Sequence, residues 1–241
     1  MLSALMLLKF KDWIMETDNK NSTAATAELS MQNNADIHDR INDAYYGKLG
    51  QKFMRETQQR IHWICSRVHG RSVLDIGCSQ GIVPILLARE GIKVVGIDTS
   101  PQAIKEANQY LASEPKHVKD RVEFINADFL SYDFKNLDVK TIVISEVLEH
   151  LVNPESFVDA ASKLLPSSGQ IIVTVPFGIN DFIDHKHTFY LFEPFRLINQ
   201  RFEIKEIKVL GKWLGIAASL RSADQSKPVT TTLTEAQIEQ L

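Results

Sequence analysis

The chain has 241 residues, 44% of them hydrophobic, which suffices to bury the core of one globular domain. Its formal net charge is −3 and its acidic and basic residues are interspersed, so no broad basic field is present to attract a phosphate backbone. The two cysteines, Cys65 and Cys78, are too few for the disulfide framework of a small secreted domain. We therefore expect free thiols in the reducing cytoplasm, and nucleic acid is not the default partner.

Residues 1–45 are predicted to form an N-terminal extension and linker. Residues 1–10 are apolar, but no charged segment precedes them and no small-residue cleavage site follows, which argues against a signal peptide. Ten residues are also too few to span a bilayer, so we expect a short helix packed on the domain and no membrane association. Residues 18–36 are polar and lack apolar periodicity, which predicts a flexible linker.

The next segment alternates between helical and extended patterns. Apolar residues at three- and four-residue steps predict an amphipathic helix over 51–68, ended by Gly70. Continuous Val/Ile/Leu runs then predict strands, with helices ending at Arg89 and starting at Pro101 and Pro154 between them. The strands are predicted over 72–76, 93–97, 122–125, 141–144 and 170–175. Such alternation is typical of a parallel sheet covered by helices on both faces.

The last elements are predicted to close the edge of this sheet. Residues 202–209 and 213–219 are extended patterns separated by Gly211, so we expect an antiparallel pair. The predicted fold is α/β, with a doubly wound, mostly parallel sheet and an antiparallel edge hairpin. We assign the domain to residues 46–221.

The strongest local signal is residues 73–81, Val-Leu-Asp-Ile-Gly-Cys-Ser-Gln-Gly, where a buried strand runs into a glycine-containing turn and a helix. A turn of this kind presents backbone N–H groups and a helix N-terminus to a ligand. Gly77 and Gly81 permit close backbone approach and positive φ. A nicotinamide dinucleotide turn would need further glycines where Ser79 and Ile82 stand, so its spacing does not fit.

Three more elements follow this turn in order. Asp98 ends the second predicted strand, Asp128 and Phe129 follow the third, and residues 145–150, Ser-Glu-Val-Leu-Glu-His, close the fourth. Over residues 73–221 this order resembles the class I S-adenosylmethionine-dependent methyltransferases. The resemblance implies a Rossmann-like, seven-stranded fold and an enzyme that binds S-adenosyl-L-methionine. Ser79 departs from the family, where glycine is common, and we expect serine to fit the turn with a shift of its backbone.

The resemblance also implies individual roles. Asp75 is expected near the methionine end of the cofactor, and Asp98 on both ribose hydroxyls, to which an acceptor-only carboxylate is suited. Asp128 is expected to accept a hydrogen bond from the adenine amino group, with Phe129 packed on the ring. The predicted cofactor site is completed by Gly77, Cys78, Ser79, Gly81, Thr99 and Ser145.

The acceptor side has two interpretations besides a purely structural one. Glu146, Glu149 and His150 are spaced to share one side of a helical turn, and His185 lies beyond the fifth strand. These four residues are candidate ligands for Mg²⁺ or Mn²⁺, which would lower the pKa of an acceptor hydroxyl. Such a set resembles that of the small-RNA 3′-terminal ribose methyltransferases. In the other interpretation, His150 or His185 is a general base beside Glu149.

The resemblance extends to ubiquinone-pathway O-methyltransferases and glycan methyltransferases, which implies a small-molecule or glycan hydroxyl as acceptor. Two alternatives stay open: a metal-dependent RNA 3′-terminal ribose methyltransferase, and a non-catalytic cofactor-binding module of a larger protein. Residues 222–241 are predicted to form a polar linker and the start of a helix opened by the capping box at 232–235. We expect further domains beyond it, with a frayed tail as the alternative.

Overall fold

A computed structural model of the chain describes residues 40–134, 137–179 and 182–221. The predicted helix at 1–10, the linker at 18–36 and the predicted C-terminal linker and helix at 222–241 lie outside these residues. The strands are β1 Ser72–Ile76, β2 Lys93–Asp98, β3 Val122–Asn126, β4 Thr141–Ser145, β5 Gln170–Pro176, β6 Phe202–Leu210 and β7 Trp213–Leu220. The helices are α1 Ile41–Tyr45, α2 Gln51–Arg67, α3 Ile82–Arg89, α4 Pro101–Ala112, α5 Lys116–Lys119, α6 Pro154–Leu164 and α7 Phe192–Asn199, with a 3₁₀ helix at Leu148–His150.

The seven strands form one sheet in the order β3-β2-β1-β4-β5-β7-β6. The first five in this order run parallel, and β7 runs antiparallel to both β5 and β6. The predicted doubly wound, Rossmann-like sheet with an antiparallel edge hairpin is therefore confirmed. The direction of winding reverses between β1 and β4, which are direct neighbours.

Helices cover both faces of the sheet, as the continuous apolar strands predicted. Successive side chains of a strand point to opposite faces. Leu74 and Ile76 of β1 accordingly pack in the core beneath α6 and α7, whereas Val73 packs with α2 and α3. None of the helices in the described ranges has the length and hydrophobicity that a membrane-spanning segment requires.

Side-chain caps fix the start of two helices. Ser100 Oγ accepts a hydrogen bond from Ala103 N at 3.2 Å, and Asn153 Oδ1 accepts one from Ser156 N at 3.0 Å. In both helices proline occupies the first turn, where its missing N–H costs no hydrogen bond. Helix α4 begins soon after the end of β2, so its capped N-terminus lies at the edge where the parallel strands end.

Helix α1 belongs to the packed body, although the predicted domain boundary lies just after it. Asn42 is buried, its N–H donates to Gln80 Oε1 at 2.9 Å, and its side-chain amide donates to the Gln80 carbonyl at 3.1 Å. Gln80 lies in the glycine-containing turn after β1. The first described helix is thus fastened to that turn.

Gly81→Ala should destabilise the fold more than Gly91→Ala, its matched control. Both glycines have a left-handed backbone, with φ of 78° and 84°. A Cβ on Gly81 would lie 2.9 Å from Phe124 Cε1 and 3.0 Å from Ala107 Cβ, whereas nothing lies within 4 Å at Gly91. We expect a loss of about 1 kcal/mol from backbone strain at Gly91 and about 2–4 kcal/mol at Gly81, where overpacking adds to it. Urea unfolding measures both, and equal losses would contradict the packing argument.

Candidate active site

The turn after β1 is tied to the end of β2. The Gly77 and Cys78 N–H groups both donate to the Ile97 carbonyl, at 2.8 and 3.2 Å. Gly77 has φ of 73°, and a Cβ there would clash with Val147 Cγ2. The turn therefore requires glycine at this position, because it packs directly against the segment that follows β4.

Asp98 holds two turns together. Its Oδ2 accepts a hydrogen bond from Ser79 N at 2.9 Å and its Oδ1 accepts one from Ser100 N at 2.8 Å. Ser79 accommodates this contact with φ of 45°, so serine fits the turn without glycine. A carboxylate offers about four acceptor positions, which leaves room for two further donors on the half-buried Asp98. Thr99 follows as an exposed residue whose carbonyl accepts from Asn126 Nδ2 at 3.0 Å.

Asp75 lies buried in β1 directly beneath this turn. Burial, and secondarily the charge of Asp98, raises the pKa of the Asp75 carboxyl to about 7. Burial likewise raises the pKa of the Cys78 thiol well above its usual range. Cys78 is therefore a small packed side chain of the turn, in a protonated state, and not a reactive thiol.

The two residues of the third predicted element, Asp128 and Phe129, have different environments. Asp128 is exposed, and its Oδ1 accepts from Leu130 N at 3.0 Å, which shapes the turn after β3. Phe129 is only 6% exposed, and its ring lies 4.7 Å from that of Phe157. The Phe129 ring therefore packs in the core at the end of β3, and its contact with an adenine ring stays a prediction.

A buried arginine that sequence reasoning missed lies beneath the end of β4. Arg60 of α2 is 5% exposed, and its Nη1 donates to Ser145 Oγ at 2.7 Å. Ser145 Oγ is also 2.9 Å from Thr174 Oγ1 of β5. The sequence did contain a signal for Arg60, because it is a charged residue directly beside the core residue Ile61 in the predicted amphipathic helix.

Glu146 does not join the predicted metal ligands. Its φ is 58°, so the chain is not helical there, and it precedes the 3₁₀ helix Leu148–His150. Its carboxylate accepts from Thr174 Oγ1 at 3.1 Å and from the Trp213 indole N–H, and it lies 3.5 Å from Arg60 Nη1. The expectation that Glu146 and Glu149 share one side of a helical turn is wrong, because the left-handed residue aims Glu146 toward α2 and β7.

The other three predicted residues do converge. Ligand atoms of Glu149, His150 and His185 all lie within 4.8 Å of one another. The Glu149 side chain is 1% exposed, and its carbonyl accepts from the Lys186 and His187 N–H groups at 2.8 and 3.2 Å. Glu149 therefore fixes the loop beyond β5 through its backbone while its side chain joins the cluster.

The two imidazoles are held in a defined arrangement. Their ring centroids are 4.8 Å apart at 81°, and His150 Nδ1 lies 3.1 Å from Asp184 Oδ2. Burial, and then the neighbouring His150, lowers the pKa of His185. A neutral His185 at pH 7 has a lone pair for a cation or a proton. The ring of Phe182 flanks both imidazoles, with centroids 5.1 Å from His185 and 6.4 Å from His150.

Comparison with known proteins agrees with this geometry. The family model described as "Methyltransferase domain" matches residues 31–215. The chain belongs to this methyltransferase family. It is 35% identical over 117 residues to the ubiquinone biosynthesis O-methyltransferase of Xylella fastidiosa strain 9a5c, a match that covers 48% of this chain and 46% of that protein. The chain thus aligns with about half the length of such curated relatives.

Solved structures of other proteins share the fold of this domain. A Pyrococcus horikoshii protein, PH0226, superposes with a TM-score of 0.59 at 18% identity, over 73% of this chain and 95% of that one. The glycopeptide N-methyltransferase MtfA, solved with S-adenosyl-L-methionine, superposes with a TM-score of 0.56 at 14% identity, over 68% of this chain and 93% of that one. The seven-stranded sheet of this methyltransferase domain is the architecture that these structures have.

Asp75 should make the stability of this methyltransferase domain pH-dependent. The folded protein holds the Asp75 proton up to a pH of about 7, whereas the ordinary pKa of an aspartate is 3.8, so Asp75 stabilises the fold at low pH and loses this contribution as the pH rises between these values. Each unit of separation corresponds to about 1.4 kcal/mol. Between pH 4 and pH 8, we expect the unfolding free energy of the wild type to fall by about 3 kcal/mol relative to that of Asp75→Asn. Urea unfolding without added ligand measures this, and a pH-independent difference would refute the raised pKa.

Proposed function

We propose that this methyltransferase domain transfers the methyl group of S-adenosyl-L-methionine to an oxygen atom of a small-molecule or glycan hydroxyl. The observation that supports this most is the joining of two half-sites at one edge of the sheet. Val147 packs against Gly77 of the turn held by Asp98. Glu149 and His150 follow Val147 within three residues and, together with His185, form what we call the acceptor-side cluster. A donor and an acceptor bound to these half-sites would be adjacent.

The residues of the first half-site fit the proposed cofactor. Asp98 has acceptor capacity left for a diol, and the N-terminus of α3 follows a turn that needs left-handed glycines. We further propose the following as cofactor-binding residues: Asp75, Gly77, Cys78, Ser79, Gly81, Thr99, Asp128, Phe129 and Ser145. When bound, S-adenosyl-L-methionine supplies a methyl group already activated by its sulfonium. The chain's remaining tasks are to orient the acceptor oxygen and to take its proton.

The acceptor-side cluster contains groups that can take the proton of the acceptor hydroxyl. His185 is held neutral at pH 7 by its lowered pKa, and its ring lies against that of His150. Either imidazole can take a proton from an acceptor hydroxyl, and the carboxylate of Glu149 can stabilise the resulting charge. We propose His150 and His185 as candidates for the general base, with Glu149 as their partner.

The same cluster supports a second candidate mechanism that uses a divalent cation. Glu149, His150 and His185 offer one carboxylate and two imidazoles within 4.8 Å, a donor set that suits Mn²⁺ and, less well, Mg²⁺. A cation held there would lower the pKa of an acceptor hydroxyl. This proposal omits Glu146, whose carboxylate faces Arg60 and Trp213.

The choice of oxygen as the acceptor atom follows the curated relatives, which are named O-methyltransferases of ubiquinone biosynthesis. The fold alone does not decide it, since MtfA, which shares the fold, is named an N-methyltransferase. The net charge of −3 argues against an RNA end as acceptor.

The two cysteines bear on the cellular compartment. The pKa of the Cys65 thiol is raised to about 12 by burial, and Cys65 and Cys78 are both unpaired, which supports a reducing compartment such as the cytoplasm.

Asp98→Ala should weaken binding of S-adenosyl-L-homocysteine. Loss of hydrogen bonds to a charged acceptor corresponds to about 1.5–3 kcal/mol, or roughly 10- to 150-fold in Kd. Asp138→Ala, at an 85% exposed side chain before β4, is the control and should leave Kd unchanged. Calorimetry measures both, after circular dichroism confirms that each variant is folded. An unchanged Kd for Asp98→Ala would mean that the ribose binds elsewhere.

Chelation separates the two mechanisms of the acceptor side. In a methylation assay on phenols and glycans, a base mechanism predicts that activity survives EDTA, rises with pH through a pKa below 6.5 if His185 is the base, and falls at least 100-fold in His185→Gln. A metal mechanism predicts that EDTA abolishes turnover, that Mn²⁺ restores it, and that Glu149→Gln has the same effect as EDTA. The Kd for S-adenosyl-L-homocysteine should stay within about threefold in either case (~0.6 kcal/mol). Absence of methyl transfer to any hydroxyl with cofactor bound would contradict the proposed function.

A further inference from the structure

The turn from β4 to the 3₁₀ helix has a strained backbone at Glu146. Its φ of 58° lies in the left-handed region that favours glycine, and within the described ranges only Ser79 shares this feature among non-glycine residues. A side chain in this region persists where surrounding contacts impose the conformation. The contacts of Glu146 should therefore be unusually important to the segment that follows it.

Three elements hold Glu146 in place. Its N–H donates to the Thr174 carbonyl at 2.9 Å, and its Oε1 accepts from Thr174 Oγ1 at 3.1 Å, both on β5. Arg60 of α2 approaches the same oxygen at 3.5 Å. The indole N–H of Trp213, the first residue of β7, donates to Oε2. The contact to Trp213 is a charge-assisted bond to the oxygen that the other two residues do not hold, which fixes the rotation of the carboxylate.

The backbone leaves Glu146 toward the acceptor-side cluster. Val147 packs on Gly77, and the 3₁₀ helix then presents Glu149 and His150. A change of φ at Glu146 would redirect both side chains, because each residue after it moves with the turn. The geometry of the cluster therefore depends on the contacts of a residue outside it.

We propose that Trp213 is a positioning residue for the Glu149–His150–His185 cluster, and that it acts through the Glu146 carboxylate. Trp213 is buried, it pairs in register with Pro176 of β5, and the Arg60 guanidinium lies 4.7 Å from the centre of its ring. These contacts immobilise the indole and hence its N–H. The effect on turnover rests on the proposed function, whereas the effect on the cluster's geometry does not.

Trp213→Phe tests this, because it removes the N–H and keeps an aromatic ring under Arg60. Trp63→Phe is a closely matched control. Trp63 is also buried, its indole N–H donates to Glu206 Oε1 at 3.1 Å, and the Arg67 guanidinium lies 5.2 Å from its ring. Each substitution thus removes one indole–glutamate hydrogen bond beside one stacked arginine.

The first readout needs no activity. In ¹H–¹⁵N side-chain spectra of the ligand-free protein at fixed pH, Trp213→Phe should shift the imidazole signals of His150 and His185. Trp63→Phe should leave them in place. Signals are assigned with His150→Gln and His185→Gln. Unchanged imidazole signals in a folded Trp213→Phe protein would overturn the proposal, whether or not the wild type methylates anything.

The second readout is kinetic and uses Glu146→Gln. We expect Trp213→Phe to lower kcat at least tenfold while the KM for S-adenosyl-L-methionine changes less than threefold, and Trp63→Phe to change neither more than twofold. In the Glu146→Gln background the single amide oxygen should stay with the two donors Thr174 and Arg60, which turns the NH2 group, a donor only, toward the Trp213 indole. Trp213→Phe should then have less than a threefold further effect, because the contact to the indole is already lost. Additive losses would overturn the route through Glu146. If Trp213→Phe does not fold, Glu146→Gln alone must shift the two imidazole signals, and unchanged signals there would overturn the proposal.

Discussion

The site depends on the reversal of winding between β1 and β4. These two parallel strands are hydrogen-bonded neighbours, yet the chain continues from β1 toward β2 on one side and from β4 toward β5 on the other. The segments that leave their carboxyl ends therefore diverge and open a crevice, which is where open α/β sheets bind ligands. The contact of Gly77 with Val147 marks the base of this crevice.

The polar groups under this crevice are costly to bury and are compensated locally. An arginine that is 5% exposed would destabilise the core severely without an anion. Arg60 instead lies near Glu146, donates to Ser145 Oγ and stacks on Trp213. The contacts of this one charge pair therefore connect α2, β4 and β7. Truncating either charged partner would leave the other buried. Function and stability are consequently coupled at this point of the sheet.

Sequence reasoning succeeded where a feature depends on neighbours along the chain. The continuous apolar runs predicted the buried strands, and the position of Asp98 at the end of such a run predicted its place on the carboxyl edge. It failed for Glu146 because a three-residue spacing was interpreted as helical, whereas the φ of 58° at Glu146 reverses its direction. Arg60 was missed because its partner Ser145 lies 85 positions away in sequence. The contact of the Phe129 ring with Phe157 was not predicted, because a local motif carries no information about residues distant in sequence.

Backbone strain occurs in both segments that line the crevice. Among non-glycine residues that the structure describes, positive φ occurs at Ser79 and Glu146, one on each wall of the crevice. Such a conformation costs of order 1–3 kcal/mol, which a sequence could remove by placing glycine there. Contacts hold both positions nevertheless: the backbone N–H of Ser79, a group that glycine would share, donates to Asp98, and the Glu146 carboxylate accepts from Trp213. Strain confined to the two residues that shape the crevice indicates that their geometry is maintained by these contacts, because neither residue gains local backbone stability from it.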